Sequence, residues 1–219
     1  MPHRYRVLIL LFFLVLVMYL DRLCIAVAGP RMQRDLGLGP HDWGWVMGAF
    51  TLAYALFEVP SGVLGDRIGP RKVLTRIVLW WSAFTAATGA VSSLGVLLTI
   101  RFLFGAGEAG AFPNCTATVS RWIPARERAR ATSVFWLATS LGGAITPFVV
   151  VPLQQAYGWA RSILSVWQPG GILGGRMAIL VSRYPGGVGR DFESGARTHR
   201  PTRTIKPQES SVEEGAAKS

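Results

Sequence analysis

The sequence predicts an all-α integral membrane protein, and three observations carry that expectation. Half of the 219 residues are apolar, with a mean hydropathy of +0.34. Asp, Glu, Lys and Arg make up only 16% of the chain, against roughly 25% in soluble domains. The apolar residues gather in runs of about the 20 residues that a bilayer crossing needs, and the connectors are alternately rich and poor in Arg and Lys.

Residues 1–6 are short and basic, with His3, Arg4 and Arg6. The first span is 7–28. A cleaved signal peptide has an apolar core of about 7–15 residues and a small-residue cleavage site. This run is longer and carries Asp21 and Arg22, so it is read as a retained helix that Gly29-Pro30 ends. Residues 31–42 then form a polar connector. The second span is 43–64, with Tyr54 and Glu58 inside and Pro60 near its end; Glu58 is expected to meet interfacial arginines. A tight charged loop, GDRIGPRK, follows at 65–72. The third span is 73–91, and its Trp80-Trp81 pair reads as an anchor at the interface or against lipid, where aromatic residues gather. After a short turn at Ser92-Ser93 comes the fourth span, 94–119. A basic amphipathic connector, RWIPARERAR, covers 121–130. The fifth span is 131–153, rich in small residues (Ser140, Gly142, Gly143, Ala144), with Pro147 inside.

The formal charge of +11 and pI near 10.8 would suit a nucleic-acid binder. Arg and Lys instead concentrate at the N-terminus and in the connectors after the second and fourth spans, so no nucleic-acid partner is expected. That alternation places the N-terminus and both basic connectors in the cytoplasm, and the expected location is the inner (plasma) membrane, with multiple passes. Cys24 and Cys115 sit in apolar runs without ligand-like spacing and read as small buried hydrophobes. His3, His41 and His199 lie in tails or connectors. No Ser/His/Asp set, metal cluster or phosphate loop is evident, so no enzyme, cofactor or metal is expected.

The fourth span holds the sharpest feature, Ile100 to Pro113, IRFLFGAGEAGAFP. Arg101 and Glu108 are seven residues apart, about two turns, and share a helix face. Charges in a spanning helix are expensive and mark a pathway or binding site; alternatively, the two neutralise each other in a bundle core. Gly105, Ala106, Ala109 and Gly110 allow close helix approach.

Gly62-x-x-Gly65-Asp66-Arg67-x-Gly69-Pro70-Arg71-Lys72 resembles the cytoplasmic loop signature between the second and third helices of the major facilitator superfamily. Tyr19-Leu20-Asp21-Arg22 and RFLFGAGEAGAFPN resemble its anion:cation symporter family, which includes sialin-like, vesicular glutamate and bacterial sugar-acid transporters. The likeness covers roughly residues 4–159. It implies the N-terminal six-helix half of a major facilitator fold, with five clear transmembrane helices and a degraded sixth. The first and fourth spans then open two inverted triplets, and each carries an acid and an arginine.

The resemblance implies Arg22 and Arg101 for an organic anion, since a guanidinium fork fits a carboxylate. It implies Asp21 and Glu108 for proton coupling. Tyr19, Tyr54 and Asn114 are candidate wall residues, with ordinary helix packing as the other reading of each. Gly62, Asp66, Arg67, Gly69, Arg71 and Lys72 form a conformational-gating loop, in which Asp66 caps a helix or pairs with a basic residue; otherwise the basic residues only enforce orientation.

After Trp159 the pattern fails. Residues 160–181 form a degraded sixth-helix region with Gln168, Pro169, Arg176 and four glycines. Residues 182–219 have the polar, basic composition of a disordered tail. A reading-frame shift at Trp159-Ala160 is expected, the other reading being a natural half-length variant with a divergent end. Back-translated one base over, Trp167-Gln168 must give glycine and Met177-Ala178 must give tryptophan, both where the family's sixth helix places them. The expected domains are therefore 1–159, 160–181 and 182–219. The expected activity is proton-coupled transport of an organic anion, a sugar acid or related carboxylate, as a half-transporter inactive alone. The alternative is a small membrane assembly or binding protein that pairs with itself or with a second half-transporter chain.

Overall fold

The computed structural model describes residues 3–183, with side chains over residues 5–165. They fall in one unit, Met1–Pro185. Residues 184–219, nearly all of the expected tail, lie outside the described residues.

The described residues are helical apart from short turns. Helix α1 runs His3–Leu36, α2 Pro40–Ile68, α3 Pro70–Thr88, α4 Leu94–Glu108, α5 Ala111–Trp122 and α6 Arg128–Arg183, with a 3₁₀ turn at Ala125–Glu127. Four stretches are long and apolar enough to cross a membrane: Tyr5–Leu36, Pro40–Ile68, Leu94–Trp122 and Ala125–Ser165. Helix α3 supplies a further element of 19 residues. Its first two turns carry Arg71, Lys72 and Arg76, which lower its hydropathy.

Several boundaries differ from those expected. Gly29-Pro30 does not end the first helix; α1 contains Pro30 and continues to Leu36. A proline deletes one intrahelical hydrogen bond, but the next turn still buries Met32 completely, and that packing holds the helix. The connector shrinks to residues 37–39. Pro40 then opens α2, where its missing N–H costs nothing, and the Gly39 N–H donates to Asp42 Oδ2 at 3.0 Å. The GDRIGPRK loop is mostly helix: only Gly69, at φ 92°, stands between α2 and α3.

The fourth span is two helices. Helix α4 stops at Glu108, Ala109 turns to φ −54°, ψ 138°, and Gly110 takes the left-handed conformation at φ 85°. An L side chain at Gly110 would be strained there. The basic connector is closed by Arg128, which donates to the carbonyls of Ser120 (2.7 Å) and Ile123 (3.2 Å) at the end of α5. Helix α6 runs through the fifth span into the region expected to hold a degraded sixth, with a kink at Gly158 (φ 78°, ψ 168°). Beside that kink Trp159 Nε1 donates to Asp35 Oδ2 at 2.8 Å, and Arg31 donates to the Gln154 carbonyl. The end of α1 is thereby tied to α6.

Helix α1 packs most extensively along α6, and α2 along α4, while α3 touches α2, α4, α5 and α6. Two apolar clusters result. One joins Leu11, Leu14 and Met18 of α1 to Ile77 and Trp81 of α3 and Phe135 of α6. The other joins Ile25, Ala28 and Met32 of α1 to Val46, Leu97 and Val150. Between them on α1 lie Asp21 and Arg22.

The tryptophan pair splits. Trp81 is 1% exposed, in the first cluster, rather than an anchor. Trp80 is 41% exposed and donates its indole N–H to the Leu103 carbonyl at 2.8 Å. Adjacent helical residues point about 100° apart, so an inward Trp81 turns Trp80 outward.

Candidate functional site: a buried ionic cluster

At the level between the two clusters α1 contributes Tyr19, Asp21 and Arg22. Arg22 crosses to α4, where its Nε lies 3.4 Å from Glu108 Oε1, an ion pair by distance but without hydrogen-bond geometry. Glu108 is fully buried, and the Arg22 side chain is 20% exposed. Three rings surround that guanidinium. Its Cζ lies 4.6 Å from the Tyr54 ring centre, 4.7 Å from Phe50 and 5.7 Å from Tyr19. Such stacking favours a cation withdrawn from water.

The pairing crosses between helices instead of staying within each. Asp21 and Arg22 are neighbours in sequence and so face different directions on α1. Asp21 is 2% exposed and lies beside Trp81 and within electrostatic reach of Glu108. Neither of its oxygens has a hydrogen-bond partner among the described residues, since the Trp81 N–H misses hydrogen-bond geometry. Arg101, 3% exposed, is an electrostatic neighbour of Glu108 and Cys24. Its Nη2 donates to Thr88 Oγ1 at 3.5 Å, and its Cζ lies 4.8 Å from the Phe104 ring centre. Two carboxylates and two guanidiniums thus share one low-dielectric region with few fixed hydrogen bonds. That arrangement can exchange a proton or accept an added carboxylate.

Of the sequence candidates, Tyr19, Arg22, Tyr54 and Glu108 meet directly, with Asp21 and Arg101 adjoining. Asn114 is placed differently. It is 1% exposed, and its amide donates to the Gly110 carbonyl (2.8 Å) and the Ser61 carbonyl (3.3 Å). The Ser61 bond ties α5 to α2, and the buried Asn114 Oδ1 has no hydrogen-bond partner among the described residues. The gating-loop residues sit at the α2–α3 turn, with Asp66, Arg67 and Lys72 exposed and Arg71 half-buried. Gly62 and Gly65 belong instead to the contact with α5: a Cβ on Gly65 would fall 1.8 Å from Asn114 Oδ1. Glu58 is half-buried. Phe50 and Thr88 were missed. A buried hydroxyl at the end of an apolar helix was the only signal for Thr88, and nothing set Phe50 apart from other apolar residues.

The chain belongs to the Major Facilitator Superfamily, which it matches over residues 11–204. The match continues past Trp159, where the likeness was expected to end, as α6 itself does. The chain is 38% identical over 148 residues to the "Probable sulfoacetate transporter SauU" of Cupriavidus necator, covering 68% of this chain and 34% of that protein. It is 36% identical over 164 residues to the "Probable galactarate/D-glucarate transporter GudP" of Escherichia coli, covering 72% and 36%. To the "Probable L-galactonate transporter" of Escherichia coli it is 32% identical over 171 residues, covering 78% and 37%. The chain therefore spans about a third of the length of these curated relatives. In fold it is similar to a bacterial homolog of the human lysosomal transporter Spinster, in the inward-facing and occupied conformation. That similarity has a TM-score of 0.71 at 23% identity and covers 82% of this chain and 44% of the other.

Proposed function

We propose that this chain forms the N-terminal half of a carrier that moves an organic anion, a sugar acid or related carboxylate, together with protons by alternating access. The carrying observation is the Arg22–Glu108 pair across α1 and α4. While Glu108 is ionised it occupies Arg22. A proton arriving on Glu108 cancels that attraction and leaves a desolvated guanidinium, to which a substrate carboxylate binds as a fork to a fork. Arg101 supplies the second cation, and Asp21 the second proton-accepting group. Proton and anion then cross together, because neither charge is comfortable in the site alone. The α2–α3 turn, with Asp66, Arg67, Arg71 and Lys72, serves as the gating segment. The names of the relatives support the substrate class. The positive-inside distribution supports a cytoplasmic N-terminus in an inner membrane.

A midplane site draws on both halves of such a carrier, so the chain by itself is expected to be inactive. The test is a chimera in which residues 1–159 replace the matching part of the Escherichia coli galactarate/D-glucarate transporter. Proton-driven uptake of a sugar acid, lost on Arg22→Ala or Arg101→Ala, is the expected result. A chimera that reaches the membrane and takes up no sugar acid would refute the proposal. Proteoliposomes holding the chain alone should show no uptake above background, and robust uptake abolished by Arg101→Ala would refute the inactivity of the half.

A further inference from the structure

A second basic feature lies outside the ionic cluster. Helices α2, α3 and α4 enclose a groove of about 250 Å³, lined by Phe57, Pro60 and Leu64 of α2, Arg76 and Trp80 of α3, and Gly107 of α4. Gly107 lets the Trp80 wall of the groove pack directly on α4: a Cβ there would fall 1.6 Å from Trp80 Cδ1. The groove faces away from the core, because its walls include exposed Phe57 (42%) and Trp80 (41%).

Arg76 is exposed at this groove. Among the described residues its recorded polar partner is the Ser61 hydroxyl, at 3.2 Å. It lies six residues after Pro70, about 9 Å along the helix. At that depth a long basic side chain reaches the headgroup layer. Exposed Arg67 and Lys72 stand at the same end of the bundle. A cation above an apolar, aromatic-walled slot is complementary to a phosphate carried on an acyl chain. A hydrophilic anion would match the cation but not the walls.

We propose that the groove between α2, α3 and α4 holds an anionic phospholipid, its phosphate on Arg76 and an acyl chain against Phe57, Pro60, Leu64 and Trp80. The lipid belongs to the leaflet at the α2–α3 end. It braces α3 against α4 where Trp80 packs on Gly107.

Native mass spectrometry of the purified full chain tests this, with phosphatidylglycerol and phosphatidylcholine of identical chains as probes. Phosphatidylglycerol should be retained about fivefold better, the factor that one basic residue near an anionic surface provides. Arg76→Gln should remove the preference and Arg76→Lys should keep it. An excess of glycerol 3-phosphate should leave the lipid adduct in place. Equal retention of the two lipids by the unmodified chain would overturn the proposal whether or not the variants fold. Undiminished preference in a folded Arg76→Gln variant, or displacement of the lipid by glycerol 3-phosphate, would overturn it equally.

Discussion

Arg22 of α1 and Glu108 of α4 lie 3.4 Å apart, with the carboxylate fully buried and the guanidinium beneath three aromatic rings. Removing one member of a buried pair leaves the other uncompensated, at a cost of about 3–5 kcal/mol. Glu108→Gln should therefore lower the thermal midpoint of the purified protein sharply. The double variant Arg22→Met with Glu108→Gln should regain part of that loss. A double variant no more stable than Glu108→Gln would show that the pair is not energetically coupled.

Gly107 is matched to Trp80. Gly107→Ala drives a methyl group into the indole and should destabilise by about 1–3 kcal/mol, the range for overpacking. Trp80→Leu in the same chain should relieve most of that. Denaturation of the two single variants and the double variant measures the coupling directly.

Gly110 faces two penalties. Its φ of 85° strains any L residue, by roughly 1–2 kcal/mol, and a Cβ would lie 2.3 Å from Ser61 Oγ. Adding Ser61→Gly to Gly110→Ala should restore only the steric part. Full recovery of stability would mean that the left-handed conformation costs nothing.

At the far end of α1, the Trp159 indole donates to Asp35 Oδ2 at 2.8 Å in an exposed setting. A hydrogen bond of that kind contributes about 1 kcal/mol, somewhat more to a charged acceptor. Trp159→Phe should thus leave global unfolding nearly unchanged and speed amide exchange in the last turn of α1. Unaltered exchange at 31–36 would show that the bond does not hold that turn.

The spanning segments, the buried acids and arginines of α1 and α4, and the family were legible because hydropathy and charge are written residue by residue. The azimuth of each helix was not. Asp21 and Arg22 look like a pair in sequence, yet their 100° separation sends one toward Trp81 and the other to Glu108. The seven-residue spacing did put Arg101 and Glu108 on one buried face, but which cation Glu108 takes depends on how α1 is rotated against α4. The break at Ala109-Gly110 lies inside a run that reads as continuous helix, because glycine signals close packing and a turn equally well. The two carbonyl acceptors of the Asn114 amide were not legible either, because no side-chain pattern reveals a backbone partner.

The contact between α2 and α5 has a mechanical consequence. Ser61 meets Gly110 and Gly65 meets Asn114, these two glycines leaving just the room their partners fill, while Gly62 lies in ordinary contact distance of Pro113, and the Asn114 amide closes on the Ser61 carbonyl. Sliding one helix past the other by a single residue, about 1.5 Å, would misalign both close contacts together. The two helices are indexed like meshed teeth. A one-residue slide would break the fit at Gly65 and Gly110, so spin labels on α2 and α5 should keep a fixed separation.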